Sequence, residues 1–317
     1  MEYRNLGHSG LQVSAVGLGC NNFGMRCDLE QTKAVVRAAL DAGITFFDTA
    51  DIYGGRGKSE EFLGVALKDH RRDAVIATKF TGPMGEGSLW SGASRRYVFE
   101  AVDASLRRLD VDYIDLYQVH FPDVKTPIAE TMRALDDVVR AGKVRYVGCS
   151  NFTGWQIVEA QWIARNGRLS PFISGQNQYN LLDRRIEREL VPACEKYGLG
   201  ILPYFPLASG FLTGKYRHGE EPAKDTRLGL WGARAASILS EPNFDTLTRL
   251  EAFAVERGHS MLELAIGWLG SHEYVPSVIA GATRPEQVAQ NAAAAAWKLT
   301  PEEMAEVNAI TQRSDAS

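Results

Sequence analysis

Short apolar runs alternate along this chain with longer segments in which apolar positions recur every three or four residues. The runs are Val13–Gly19, Ile44–Ala50, Ala74–Phe80, Tyr113–His120, Val144–Ser150, Phe172–Gln178, Gly200–Phe205 and Pro276–Gly281, eight in all. Most are nearly continuous in hydrophobicity, the pattern of parallel strands covered on both faces. Between them the period changes to that of amphipathic helices. After the first run, Val35, Ala38, Ala39 and Ala42 share one face, Asp28 stands as N-cap with Gln31 three residues on, and Gly43 marks the end. After the third run, Val98, Val102, Ser105, Leu106 and Leu109 repeat the pattern. Thr126-Pro127 and Thr300-Pro301-Glu302-Glu303 read as N-caps followed by proline in the first turn. The second of these opens a helix near Pro301–Thr311, outside the eight units. The alanine-rich stretch Ala292–Ala296 also reads as helix.

Eight strand–helix units in 317 residues predict an α/β fold, a (β/α)8 TIM barrel forming a single domain over residues 1–317. The segment Tyr3–Val13, with Gly10 at a turn, reads as an N-terminal β-hairpin closing the bottom of the barrel. The helix at Pro301–Thr311 is an extra C-terminal element. A doubly wound sheet is the competing architecture. It usually announces a dinucleotide by GxGxxG after its first strand, and Gly17-Leu18-Gly19-Cys20-Asn21-Asn22 lacks the third glycine.

Charge and composition narrow the classes of partner. A net charge of -4 and a pI near 5.9 argue against nucleic acid or an anionic membrane. The pairs Arg71-Arg72, Arg95-Arg96, Arg107-Arg108 and Arg184-Arg185 have acidic residues nearby and read as solvated helix faces. No apolar run approaches the roughly 18 residues of a spanning helix, and the first residues carry no signal-peptide core. Cys20, Cys27, Cys149 and Cys194 lack CxxC spacing and read as isolated thiols. These features predict a cytoplasmic protein. The histidines show neither HExxH nor HxxxH spacing, so no metal site is expected.

Four polar residues stand at, or just past, the ends of three runs: Asp48, Tyr53, Lys79 and His120. In a barrel of this kind reactive groups gather at the C-terminal ends of the strands, so the pattern predicts all four on one rim. Their types suit hydride transfer to a carbonyl. A phenol can protonate an alkoxide as it forms, and a buried lysine held by a carboxylate can make that phenol more acidic. An imidazole can hold the carbonyl oxygen.

Longer words support this. One runs from Asp41-Ala42-Gly43 through Phe46-Phe47-Asp48-Thr49-Ala50 to Tyr53-Gly54, followed by Ser59-Glu60 and Leu63-Gly64. Another joins Leu106-Arg107-Arg108-Leu109 to Asp112-Tyr113-Ile114-Asp115-Leu116 and ends in His120. A third is Gly142-Lys143-Val144-Arg145-Tyr146-Val147-Gly148-Cys149-Ser150-Asn151-Phe152. In this order and spacing the chain resembles the aldo-keto reductase family over nearly its whole length.

The resemblance implies NADPH-dependent, reversible reduction of aldehydes or ketones to alcohols. Tyr53 would be the general acid in reduction and the base in oxidation, with Lys79 and Asp48 tuning it and His120 orienting the carbonyl. The cofactor implied is NADP(H). Ser150, Asn151 and Gln176 match residues that bind the nicotinamide carboxamide, and Tyr204 matches the ring that stacks on it. The stretch Pro206–Tyr216 resembles a pyrophosphate loop, with Pro206, Leu207, Ser209, Gly210 and Lys215 as its contacts. Gly281, Thr283, Arg284 and Gln287 open the eighth helix, where Arg284 suits a 2′-phosphate. Gln290 and Asn291 match the adenine side. Three positions depart from the family's usual residues: Phe205 for serine, Ala280 for proline and Gln290 for glutamate.

Substrate choice is expected from loops, with Trp90 in Thr81–Ala93, Phe121 after His120, and Trp231 in the long stretch Arg217–Pro242. The partner implied is a small-molecule carbonyl or alcohol; no motif specifies which one, or an oligomeric state. The alternative is a nicotinamide-nucleotide-binding regulatory subunit with little turnover, since some relatives of this fold serve ion channels. Weighing against it, no appended N-terminal segment precedes the first hairpin.

Overall fold

The computed structural model describes residues 1–224 and 226–312. Its strands are β1 (Tyr3–Asn5), β2 (Gln12–Ser14), β3 (Val16–Gly19), β4 (Phe46–Asp48), β5 (Val75–Phe80), β6 (Ile114–Val119), β7 (Val144–Ser150), β8 (Phe172–Gln178), β9 (Gly200–Tyr204) and β10 (Val278–Gly281). Strands β3 to β10 form one parallel sheet in the order β10-β3-β4-β5-β6-β7-β8-β9. Strands β9 and β10 lie side by side at the seam. The fold is a (β/α)8 barrel.

β1 and β2 pair antiparallel, with Tyr3 opposite Ser14. The hairpin is present as the sequence predicts, but it takes residues from the first apolar run. Ser14 causes the split. Its hydroxyl donates to Val16 O at 2.7 Å and accepts from Thr45 N at 3.0 Å, so the chain turns at Ala15 from hairpin to barrel strand.

Side chains alternate across each strand, and the two faces meet different surroundings. Phe46, Ala77, Leu116, Leu202 and Ile279 form an apolar layer with Leu6 and Val13 of the hairpin. The intervening residues, such as Phe47, Ile76, Tyr117 and Val147, pack beneath the helices. Two positions beyond Phe46, Ala77 and Leu116 stand Asp48, Lys79 and Gln118. Alternation therefore puts a polar layer directly above the apolar one.

The helix Leu29–Asp41 begins at Asp28, which accepts from Gln31 N at 2.8 Å while Gln31 Oε1 accepts from Asp28 N at 3.0 Å. Thr300 and Glu303 cap the C-terminal helix Pro301–Thr311 in the same reciprocal way. Thr126 does not cap its helix. That helix runs Ile128–Arg140 from Pro127, and the Thr126 hydroxyl donates instead to Asp123 Oδ2 at 2.7 Å. Of the alanine-rich stretch, Ala292 to Ala294 finish the helix Pro285–Ala294, Ala295 is its C-cap, and the chain turns at Ala296. The stretch Arg217–Pro242 is not a bare loop. It contains the short helix Arg227–Trp231, started by the Thr226 side chain, and a 3₁₀ turn at Gly232–Ala235. Among the described residues no helix is long and apolar enough to cross a membrane.

Candidate active site

The polar layer above the core centres on Asp48, at the end of β4. Its Oδ2 accepts from Lys79 Nζ at 2.7 Å, and its Oδ1 accepts from Gln176 Nε2 at 2.9 Å and Gln118 Nε2 at 3.1 Å. Lys79 Nζ also donates to Thr49 O at 2.7 Å. Burial pulls the lysine pKa down. The Asp48 charge and the Tyr53 hydroxyl outweigh that and hold it above its ordinary value. Lys79 is therefore a fixed cation beneath the cleft, with no exposure of its own.

Tyr53 follows β4 on a tight turn. Gly54 there has φ +68°, and a Cβ on it would lie 2.7 Å from Phe23 O, so only glycine fits the backbone that presents the tyrosine. The Lys79 ammonium lies 5.0 Å from the Tyr53 ring centroid. Burial raises the phenol's pKa and Lys79 offsets part of that rise, leaving it above its ordinary value. Tyr53 is thus a protonated phenol at neutral pH.

His120, one residue past β6, meets the Tyr53 ring edge-on at 5.7 Å and stacks on Phe121 at 4.3 Å. Burial and the nearby Lys79 charge lower its pKa to about 2. It is a neutral imidazole, and its Nδ1 is buried without a partner among the described residues. Asn151 next to Ser150 has φ +61°. Its Nδ2 donates to His120 O at 2.9 Å, and its Oδ1 accepts from the Tyr204 hydroxyl at 2.8 Å.

A cleft of about 1140 Å³ opens over this layer. Asp48, Tyr53, His120 and Phe121 line it, together with Ser150, Asn151, Gln176 and Tyr204, and with Pro206, Leu207, Ser209, Gly210 and Lys215. Gly281, Thr283, Arg284, Gln287, Gln290 and Asn291 line the same cleft from β10 and the helix that follows it. The backbone at Gly210 has φ +91°, and a Cβ on it would lie 3.1 Å from Lys215 Nζ, so the cationic head and bare backbone share one concave spot. Ser209 Oγ is buried there without a partner among the described residues. Thr283 N donates to Gln287 Oε1 at 2.8 Å, tying the first turn of the helix Pro285–Ala294 to the strand that precedes it.

Two of the sequence-predicted substrate residues lie elsewhere. Trp90 is 54% exposed and lies outside the cleft lining. Trp231 lines a neighbouring cavity of about 780 Å³ and meets Phe205 edge-on at 6.2 Å. Phe205 and Ser209 line both spaces. The Phe205 φ of +52° is costly for a bulky residue, and Tyr204, Trp231 and the Arg227 guanidinium surround its ring.

Among the residues that escaped the sequence reading, three bear on the chemistry of the site. Gln118 sits inside an apolar run and gave no signal of its own. Arg26, in a turn, and Arg227, the first residue of the short helix Arg227–Trp231, line the cleft from places far apart in the chain, and Arg227 Nη2 donates to Asn22 Oδ1 at 3.1 Å. Both line one cleft, and burial together with the Arg26 charge lowers the Arg227 pKa.

A family model described as the aldo/keto reductase family matches residues 15–312. The chain belongs to the aldo/keto reductase family. It is 40% identical, over 98% of its length and 97% of the relative's, to a probable voltage-gated potassium channel subunit beta of Oryza sativa subsp. japonica. It is 38% identical to the versiconal hemiacetal acetate reductase of Aspergillus parasiticus, over 96% of this chain and 95% of that one. It is 36% identical to the L-glyceraldehyde 3-phosphate reductase of Escherichia coli (strain K12), over 92% of this chain and 86% of that one. Aldo/keto reductase membership supports oxidoreductase chemistry at carbonyl groups.

Proposed function

We propose that this aldo/keto reductase reduces aldehydes or ketones to alcohols with NADPH, and oxidises alcohols with NADP⁺ in reverse. The observation that carries the reading is the Tyr53 phenol beside the buried Lys79–Asp48 pair, with His120 edge-on to it, in a cleft of about 1140 Å³. NADPH, when bound, supplies the hydride to the carbonyl carbon. The Tyr53 hydroxyl gives its proton to the carbonyl oxygen, and the phenolate left behind is stabilised by Lys79. His120, being neutral, orients the same oxygen as a hydrogen-bond donor from its cleft-facing nitrogen. Asp48 keeps Lys79 charged and aimed.

The rest of the cleft fits a dinucleotide phosphate. Ser150, Asn151 and Gln176, all in the cleft lining, would hold the carboxamide, and Tyr204 would stack on the ring. The bare backbone at Gly210, the unpartnered Ser209 hydroxyl and Lys215 suit a pyrophosphate. Arg284, at the start of the last barrel helix, suits a 2′-phosphate, and Gln287, Gln290 and Asn291 would meet the adenine. The preference for NADPH over NADH rests on Arg284. A panel of aldehydes and ketones, followed by loss of NADPH absorbance, tests the assignment; no oxidation of NADPH with any of them would defeat it.

The relatives named as potassium channel beta subunits, in rice and in Arabidopsis thaliana, favour a second reading, a nucleotide-binding regulatory subunit. Tight NADPH binding without turnover across the same panel would select it.

A further inference from the structure

Gln118 is wholly buried between the apolar core of the barrel and the cleft, and it lines neither the cleft nor any surface. It shares a face of β6 with Leu116 and stands level with Lys79, its partner across β5. A polar side chain in this position has to be satisfied from within the barrel. Its Nε2 donates to Asp48 Oδ1 at 3.1 Å, and its Oε1 accepts from Gln176 Nε2 at 3.5 Å. Gln176 Nε2 also donates to Asp48 Oδ1 at 2.9 Å. The three side chains close a ring.

The ring has a directional consequence. An amide nitrogen carries two N–H bonds, and both of those on Gln176 point down, to Asp48 and to Gln118. The opposite orientation would set the Gln176 carbonyl against a carboxylate. Gln176 lines the cleft, so the end of its amide left for the cleft is Oε1, an acceptor.

We propose that Gln118 is a positioning residue. Acting through Asp48 and Gln176 from beneath the cleft, it fixes the Gln176 amide so that its oxygen receives an N–H of a nicotinamide carboxamide. This deepens the proposed cofactor assignment and requires only binding, not turnover.

The test compares the affinities of NADP⁺ and its 3-acetylpyridine analogue, whose acetyl group has no N–H, by titration calorimetry. The native protein should bind NADP⁺ the more tightly. In Gln118→Met, which keeps the length of the side chain and removes both bonds, the ratio of affinities should shrink by about 3- to 10-fold, the worth of one hydrogen bond. In a Gln176→Leu background the same substitution should leave the ratio unchanged. A merely structural role would lower the melting temperature and weaken both ligands alike. An unchanged ratio in a folded Gln118→Met protein, or equal affinities in the native one, overturns the inference. Should that variant fail to fold, Gln118→Asn decides. It keeps an amide drawn back by one methylene, and a native ratio there overturns the inference while a reduced ratio supports it. A native protein that binds NADP(H) but reduces no carbonyl defeats the reductase assignment and leaves the affinity ratio to decide on Gln118.

Discussion

The Lys79 ammonium lies 5.0 Å from the centroid of the Tyr53 ring, a buried cation beside the phenol whose ring His120 meets edge-on. A proton leaving Tyr53 would leave its charge beside Lys79. In Tyr53→Phe the ring and its packing stay and the proton is gone. Turnover should fall by about 10²–10⁴-fold, the usual loss for a general acid. The dissociation constant for NADPH should stay near its native value. Steady-state rates together with fluorescence titration give both quantities, and near-native turnover would remove Tyr53 from the mechanism.

Lys79→Met strips Asp48 of its ion-pair partner while the Gln118 and Gln176 amides still donate to it. Breaking a buried pair costs about 3–5 kcal/mol when the remaining charge is left without compensation. The two amides should hold the loss toward the lower end of that range. Chemical unfolding of the native and variant proteins measures it. Turnover should fall as well, because the cation opposing the phenol's burial is gone.

Arg284→Ala bears on cofactor choice. A charge-assisted contact is worth about 1.5–3 kcal/mol, so the KM for NADPH should rise about tenfold or more, with little change for NADH. Arg26 and Arg227 line the same cleft and offer further positive charge. If the preference survives in Arg284→Ala and is lost in Arg227→Ala, the 2′-phosphate contact belongs to the latter residue.

His120 makes a prediction about acid stability. In the unfolded chain its imidazole titrates near its ordinary 6.5, and in the fold near about 2, held down by burial and by Lys79. Between those values the unfolded chain binds the extra proton. The native state therefore keeps its full stability above about 6.5 and loses it as pH falls through the window toward 2. His120→Asn should narrow the drop in melting temperature between pH 7 and pH 5. Part of the drop will remain, since burial also lowers His272, to about 4. The reductive rate should show no limb from His120 near neutrality. An acid limb near pH 6.5 that vanishes in His120→Asn would show the imidazole to be charged during turnover.

Eight apolar runs separated by segments of helical period were enough to read the barrel, and the polar residues at the run ends marked one rim of it. Phe46 and Asp48, Ala77 and Lys79, and Leu116 and Gln118 each differ by two residues, so membership of the core layer fixes the side on which the polar residue emerges. Caps such as Asp28 with Gln31 were equally legible, because both partners lie within one turn of the chain. Thr126 was not, since a hydroxyl before a proline has a second choice, and here it takes the Asp123 carboxylate.

The sequence could not say which polar atoms meet across the barrel. Gln118 reaches Asp48 across seventy positions, and Gln176 across 128, only because closure of the sheet brings β4, β6 and β8 to one interior. Arg26 and Arg227 share a cleft for the same reason, and Trp231 lines a neighbouring cavity, with Phe205 lining both. Periodicity records the face on which a side chain stands, whereas contact depends on strand register and on the paths of distant loops. Those are set by packing the whole chain at once.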